Sequence, residues 1–277
     1  MATVTAPRNN EILLSCQEVS KHFGGVVALA GLNLDIRYNE IFGVIGPNGS
    51  GKTTFFNLLT GIFPLTSGTF IYEGHDLTNR TPQEVCRAGI SRTFQRSRVC
   101  LGLSIFDNLM VGNHINLRHD WWSNLINRNL LYRQLDEMVE RARSLLQIFD
   151  PKLASRMDEL MGNQPMIDRR RVEICRALIS GPRLLLLDEP SAGMTHREMR
   201  ELMENLLHAK QEFGNLTILL IEHEMKIIER VTDRCAVLNF GKKLCEGNYL
   251  SVVSNPEVQK AYLGGTVKKA EKVPYAV

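Results

Sequence analysis

The stretch GPNGSGKTT, Gly46 to Thr54, fits the pattern GxxxxGK[ST]. It follows the apolar run IFGVIG and opens an amphipathic segment, Thr53 to Thr60. Strand, glycine-rich loop and helix, in that order, are the context that makes the pattern specific. Glycines let the backbone curl so that successive N–H groups aim at phosphate oxygens, and the helix start adds its dipole. Gly46, Pro47, Asn48, Gly49, Ser50, Gly51, Lys52, Thr53 and Thr54 are therefore a candidate phosphate cradle. Lys52 is expected to reach the β and γ phosphates of a bound nucleotide, and the Thr53 hydroxyl to bind Mg²⁺.

A second chemical element is RLLLLDEP, in which four leucines lead to Asp188 and Glu189. A carboxylate at the C-terminal end of a buried parallel strand emerges where such sheets bind ligands. Asp188 is expected to hold Mg²⁺, directly or through water. Glu189 is the natural group to orient and polarise an attacking water, because phosphoryl transfer needs mainly positioning and charge stabilisation. A strand merely capped by solvated acids explains an adjacent acid pair after a buried run less well.

The elements that must position these groups alternate. Short apolar runs at Ile41–Gly46, Leu184–Leu187, Thr217–Ile221 and Ala236–Asn239 read as buried parallel strands, and ILLSCQEVS as a further strand. Helical patterns at Thr53–Thr60, Arg169–Ile179, Arg197–Phe213 and Met225–Val231 lie among them. That alternation predicts α/β architecture with a largely parallel sheet. The rhythm breaks from about Asn113 to Asp150, where Leu131, Leu135, Met138, Val139, Ala142 and Leu145 recur at near-helical spacing. A helical subdomain inserted in the α/β core is expected there. Trp121 and Trp122 at its start fit local packing, with a partner contact as the alternative. The ending TVKKAEKVPYAV is short and charged, and a mobile tail is expected.

Composition sets the outer bounds. The 277 residues are 44% hydrophobic and 23% charged, ordinary for a globular protein able to bury a core. A net charge of +3 gives no argument for nucleic acid. Six scattered cysteines, none at CxxC spacing, are expected to be reduced and mostly buried. The start MATVTAPRNNEILL lacks the pattern of a signal peptide, and no run approaches the ~20 apolar residues of a membrane span.

Taken together and in order, these residues resemble the ATP-binding subunit of ABC transporters, from Ile12 to about Gly265. Within that group the chain is most similar to the ATPases of branched-chain amino acid importers. FGG at Phe23–Gly25, RTFQ at Arg92–Gln95, ILLIEHEM at Ile218–Met225 and the ending NPEVQKAYLGG carry that likeness. The resemblance implies an α/β P-loop NTPase fold of ABC type. Its mainly parallel core would carry an antiparallel β subdomain and an inserted α-helical subdomain. It places an ATPase domain at 1–265, the insertion at about 100–175 and the tail at 266–277. Phe23 would stack on adenine. Gln95 would contact Mg²⁺ and water and sense the membrane subunit, with the residues through about Val111 receiving a helix from it. His223 would lie near the γ-phosphate. The implied cofactors are ATP and Mg²⁺. The implied partners are a second ABC ATPase, permease subunits and, indirectly, a solute-binding protein. The implied location is peripheral, on the cytoplasmic face of the inner membrane.

One motif departs from the family. Such ATPases dimerise head to tail, and each ATP meets the other subunit's signature, usually LSGGQ. Aligned without gaps on RRRVEICRAL, the signature here is Gln164, Pro165, Met166, Ile167 and Asp168. The letters LMGNQ, Leu160 to Gln164, offer a competing register that needs four extra residues, a full helical turn. In the ungapped register Pro165 supplies neither hydroxyl nor N–H, and Met166 and Ile167 stand where glycines allow close approach. Asp168 is expected to cap the helix and to repel a phosphate. Thr195 stands where the loop SAGMT usually continues with Asp or Asn. An asymmetric heterodimer is the expectation that follows. A catalytically weak structural or regulatory subunit and an ABC exporter ATPase are alternatives. A soluble ABC protein of translation or repair fits less well, since the chain has one cassette and no long coiled coil.

Overall fold

A computed structural model describes residues 11–95, 97–116 and 128–267. The chain forms two compact units. One holds the described residues up to Val85 and those from Leu219, and the other spans Cys86–Ile218.

In the first unit, β1 (Ile12–Phe23) and β2 (Val26–Arg37) form a long antiparallel pair. β2 buries Leu32, Leu34 and Ile36 and exposes Asn33, Asp35 and Arg37, the period-two pattern of a half-buried strand. With β4 (Ser67–Tyr72) and β5 (His75–Asp76) these strands make an antiparallel sheet of order β2-β1-β4-β5. β3 (Ile41–Ile45) is buried at every position and leads through the glycine-rich loop into α1 (Lys52–Leu59). β3 pairs in parallel with β9 (Arg234–Asn239), Phe42 opposite Arg234 and Ile45 opposite Val237. β9 turns back into antiparallel β10 (Lys242–Gly247). α8 (Met225–Val231) buries Ile227 and Ile228, and α9 (Tyr249–Val253) and α10 (Pro256–Val267) follow β10. α2 (Pro82–Arg87) and β8 (Thr217–Ile221) carry the chain across the division between the units.

In the second unit, β6 (Ile90–Arg92) pairs in parallel with β7 (Leu184–Asp188), whose five residues are all buried. Helices surround them: α3 (Ile105–Gly112), α4 (Arg128–Phe149), α5 (Pro151–Ala154), α6 (Met166–Leu178) and α7 (His196–Phe213). α3 and α6 cross closely, since a Cβ on Gly112 would lie 2.0 Å from the Arg176 carbonyl oxygen. α7 opens on a capping box: Thr195 Oγ1 accepts from the Glu198 N–H, and Glu198 accepts from the Thr195 N–H. Thr195, unusual for its loop, thus has a local role as a helix cap.

The strand and helix periods agree closely with the elements found, and β8 and α8 have the expected limits. The stripe on α4 is corrected in part: Ala142 and Leu145 are buried, with Leu146 and Phe149, but Leu135 is 43% exposed. Among the described side chains the C-terminal half of that helix supplies the core, Met138 and Val139 are half-buried, and Leu131 lies outside them. Three cysteines are buried, two half-buried, and Cys100 is exposed. All six are free thiols. Trp121, Trp122 and residues 268–277 of the expected tail lie outside the described residues, and α10 runs to Val267.

Candidate functional site

The phosphate loop is built by the first unit. Gly46 has φ 149°, and a Cβ there would sit 2.1 Å from the Leu238 carbonyl oxygen. Gly51 has φ 107°, and a Cβ there would sit 2.7 Å from the Ala28 carbonyl oxygen. Both positions demand glycine for conformation and for space. Gly241 donates its N–H to the Ser50 carbonyl at 3.0 Å and its own carbonyl accepts from Ala30, so the β9–β10 turn fastens the loop to β2. Lys52 is buried, and its ammonium donates to the carbonyls of Gly46 (2.7 Å) and Pro47 (3.0 Å).

This loop fits a phosphate by its donor set. Gly51 caps α1 without a side-chain hydrogen bond, and the first turn contains no acid. The N–H groups and positive dipole end of α1 therefore face no competing carboxylate of their own helix. The Ser50 hydroxyl is buried without a hydrogen-bond partner among the described residues. Thr53 is exposed, and its hydroxyl is of the oxygen-donor type that a hard cation takes. Asn48 and Gly49 are exposed, and Pro47 and Thr54 half-buried.

Phe23, the last residue of β1, is 42% exposed. Its ring meets Phe63 edge-on at 5.3 Å, and the Lys21 ammonium lies 4.9 Å from its centroid. This makes a braced aromatic surface near the end of a strand. His223 follows β8, is exposed, and donates its backbone N–H to the buried carboxylate of Glu222 at 3.3 Å.

Asp188 and Glu189 belong to the second unit, as do Arg92 and Gln95. Asp188 is 1% exposed and accepts from Arg92 Nη2 at 2.9 Å in a buried ion pair. Burial pushes the Arg92 guanidinium below its usual range, and Asp188 opposes that shift. Glu189 holds a left-handed backbone, φ 49°, which costs a non-glycine residue about 1 kcal/mol or more. The turn aims its carboxylate at Gln95, whose amide nitrogen donates to Glu189 Oε2 at 2.7 Å. A pair 94 positions apart in sequence is thus brought into contact. The role of Arg92 was missed. It is a basic residue in a short strand, and no local pattern marks a charge that pairs across 96 positions.

The signature region gives one correction. α6 starts at Met166 with Pro165 as its cap residue and no side-chain cap bond. Asp168 is not the cap. Its side chain is buried and paired with Arg156 (3.3 Å) and Arg171 (3.1 Å). Two guanidiniums outcompete the helix start because each offers a charged donor, and that of Arg171 is largely buried. Asp168 is therefore neutralised rather than a bare charge at the helix end. Gln164 is buried too, donating to Glu159 at 2.9 Å and accepting from Arg156 at 3.1 Å. Met166 is 60% exposed. The competing letters LMGNQ lie upstream of the helix, in a 3₁₀ turn at Met161–Asn163.

Among the described residues no three of His, Cys, Asp or Glu gather as a metal-ligand set, and no helix is long and apolar enough to cross a membrane.

Comparison with known proteins gives a consistent placement. Residues 29–192 match the ABC transporter family, and residues 242–268 match the branched-chain amino acid ATP-binding cassette transporter family. The chain is 37% identical over 252 residues to the high-affinity branched-chain amino acid transport ATP-binding protein LivG of Escherichia coli K12, covering 91% of this chain and 98% of that one. It is 34% identical to the corresponding protein BraF of Pseudomonas aeruginosa, with the same coverage. A solved ATP-binding cassette of an ABC transporter in its ADP conformation superposes with TM-score 0.78 at 30% identity, covering 92% of this chain and all of that chain.

Proposed function

We propose a function from the premise that this chain belongs to the ABC transporter ATP-binding family, in its branched-chain amino acid group: it binds and hydrolyses ATP to power an importer of branched-chain amino acids or a related small polar solute. The observation that carries hydrolysis, rather than mere binding, is the Gln95–Glu189 hydrogen bond. A subunit that only held nucleotide would have no use for an oriented carboxylate beside a glutamine.

Each residue then has a role. Phe23 stacks on the adenine. The N–H groups of Gly46–Thr54 and the Lys52 ammonium hold the phosphates. Thr53, Asp188 and Gln95 offer the hard oxygen ligands that Mg²⁺ takes. Gln95 spends its nitrogen on Glu189, so its carbonyl oxygen is the end suited to a cation. When bound, Mg²⁺ neutralises charge on the phosphate oxygens. Glu189 orients the attacking water and accepts its proton. His223 stabilises the γ-phosphate as charge develops. Arg92 holds the Asp188 carboxylate in place.

The ungapped signature Gln164–Asp168 offers little to a partner's nucleotide. Pro165 has no N–H, and the exposed Met166 side chain stands at the helix start. The ATP on this chain's own phosphate loop is hydrolysed when a second, different ABC ATPase supplies an intact signature. The assembly works at the cytoplasmic face of the plasma membrane, bound peripherally to permease subunits that a solute-binding protein serves. The test is ATP hydrolysis across a concentration series of the purified chain, alone and mixed with the second ATPase of the same transporter. Activity only on mixing supports the reading. Activity alone, rising as the square of concentration, contradicts the asymmetric dimer.

The same signature favours a second reading, a subunit that binds ATP to close the dimer and barely hydrolyses it. Glu189→Gln separates the two, because transport would then be nearly unaffected.

A further inference from the structure

The proposed chemistry depends on where Gln95 sits, and its backbone is held from an unexpected side. Three residues of α6 at helical spacing, Arg170, Glu173 and Arg176, bond the backbone of Phe94, Gln95 and Arg98. Arg170 is 3% exposed and Glu173 1%. Arg170 Nη1 donates to the Phe94 carbonyl at 2.9 Å, and Nη2 to the Gln95 carbonyl at 3.0 Å. Nη1 also donates to Glu173 Oε2 at 2.8 Å. The other Glu173 oxygen accepts the Arg98 N–H at 3.3 Å. Arg176 Nη1 donates to the Arg98 carbonyl at 2.8 Å. The Arg98 guanidinium closes back over the Phe94 ring, 3.8 Å from its centroid.

Burying a guanidinium and a carboxylate is costly, and an apolar pair of similar volume is often as stable. Core packing alone therefore does not explain these residues. What an apolar pair lacks is a planar fork with two donors for two successive carbonyls. We infer that Arg170 is a positioning residue for ATP hydrolysis, fixing the Phe94–Gln95 backbone so that the Gln95 amide meets the Glu189 carboxylate. The inference rests on the functional reading above, because it assigns Arg170 a part in the same reaction. It also gives α6 a second function. The helix whose start carries the altered signature is the helix that holds the glutamine segment, so a shift of α6 is a shift of Gln95.

The test uses the assembled transporter with Arg170→Lys, which keeps the charge opposite Glu173 but loses the fork. We expect kcat to fall by about tenfold or more, as small misplacements at reacting groups do. KM for ATP should stay within about twofold, since no phosphate contact is touched. In a Gln95→Ala background the same substitution should lower kcat by less than about twofold, because Arg170 acts through Gln95. A purely structural role predicts instead full, independent losses in both backgrounds. Arg176→Gln, at the half-exposed end of the clamp, reads a smaller loss of the same kind if Arg170→Lys melts early. Glu189→Gln in the same assembly separates the two levels. If it leaves hydrolysis unchanged, the functional reading fails and the clamp with it. If it abolishes hydrolysis while Arg170→Lys and Arg176→Gln leave kcat intact, the clamp alone is wrong.

Discussion

The Gln95 amide and the Glu189 carboxylate meet at 2.7 Å, one from the segment after β6 and the other from the turn after β7. The parallel pairing of those two strands makes the meeting possible, since it sends both C-terminal ends the same way. Arg92, the last residue of β6, stands opposite Leu186 and reaches on to Asp188, the last of β7. Two hydrogen-bonded pairs across adjacent strand ends thus frame Asp188 and Glu189.

Glu189→Gln should leave this frame in place, because the amide is isosteric and can still bond Gln95. It removes the proposed proton acceptor. Phosphate release by the assembled transporter should fall by about 10²–10⁴-fold, with nucleotide binding retained. An unchanged rate would move the general base to another residue.

Lys52→Ala takes a buried ammonium away from two loop carbonyls and from the phosphates it is proposed to hold. Hydrogen bonds to charged groups are each worth about 1.5–3 kcal/mol. ATP affinity measured by calorimetric titration should therefore drop by roughly tenfold or more. A loss under twofold would mean that the ammonium does not reach the nucleotide.

Asp168→Ala should cost about 2 kcal/mol of stability in denaturant titration. That is below the ~3–5 kcal/mol of a fully buried pair, because Arg156 is about one-third exposed. It leaves Arg171 facing Asp150 (3.1 Å) and Glu201 (3.4 Å) only as its remaining described carboxylate partners. A change under about 0.5 kcal/mol would mean that the Arg156 and Arg171 pairs carry no stability.

Alkaline stability should depend on Cys235. Burial first, then the neighbouring Cys245 and Glu246, push its thiol up to about 11. An unfolded thiol ionises near ~8.5. Because the folded value is raised, the contribution is full below the unfolded value and is lost as pH rises towards about 11. Between about pH 9 and 10, Cys235→Ala should lose roughly 1 kcal/mol less stability than the parent in urea titrations. Parallel curves for the two proteins would show that this thiol is not protected on folding.

The part of this account that local sequence carries is the part set by local geometry. The phosphate loop needs glycine at 46 and 51 and a lysine one step later, and those letters stand together. β8 and α8 are short and strongly patterned, so their limits are legible as well. Arg92 and Arg170 are not legible in this way, because their partners lie 96 and 76 positions off. Asp168 illustrates the converse. A carboxylate near a helix start reads as a cap, but Arg156, twelve residues upstream, and Arg171, three downstream, draw it into the interior. Leu135 fits the helical period and is nonetheless exposed, since periodicity does not show how far along a helix the core extends.

The central claim is that ATP on this chain's own phosphate loop is the hydrolysed one. The most direct measurement is single-turnover phosphate release in the assembled transporter, with Glu189→Gln in this subunit or the equivalent change in the partner ATPase. The account predicts that Glu189→Gln abolishes release and transport, while the partner's change leaves most of both. Equal losses from the two changes, or loss from the partner's change alone, would contradict it.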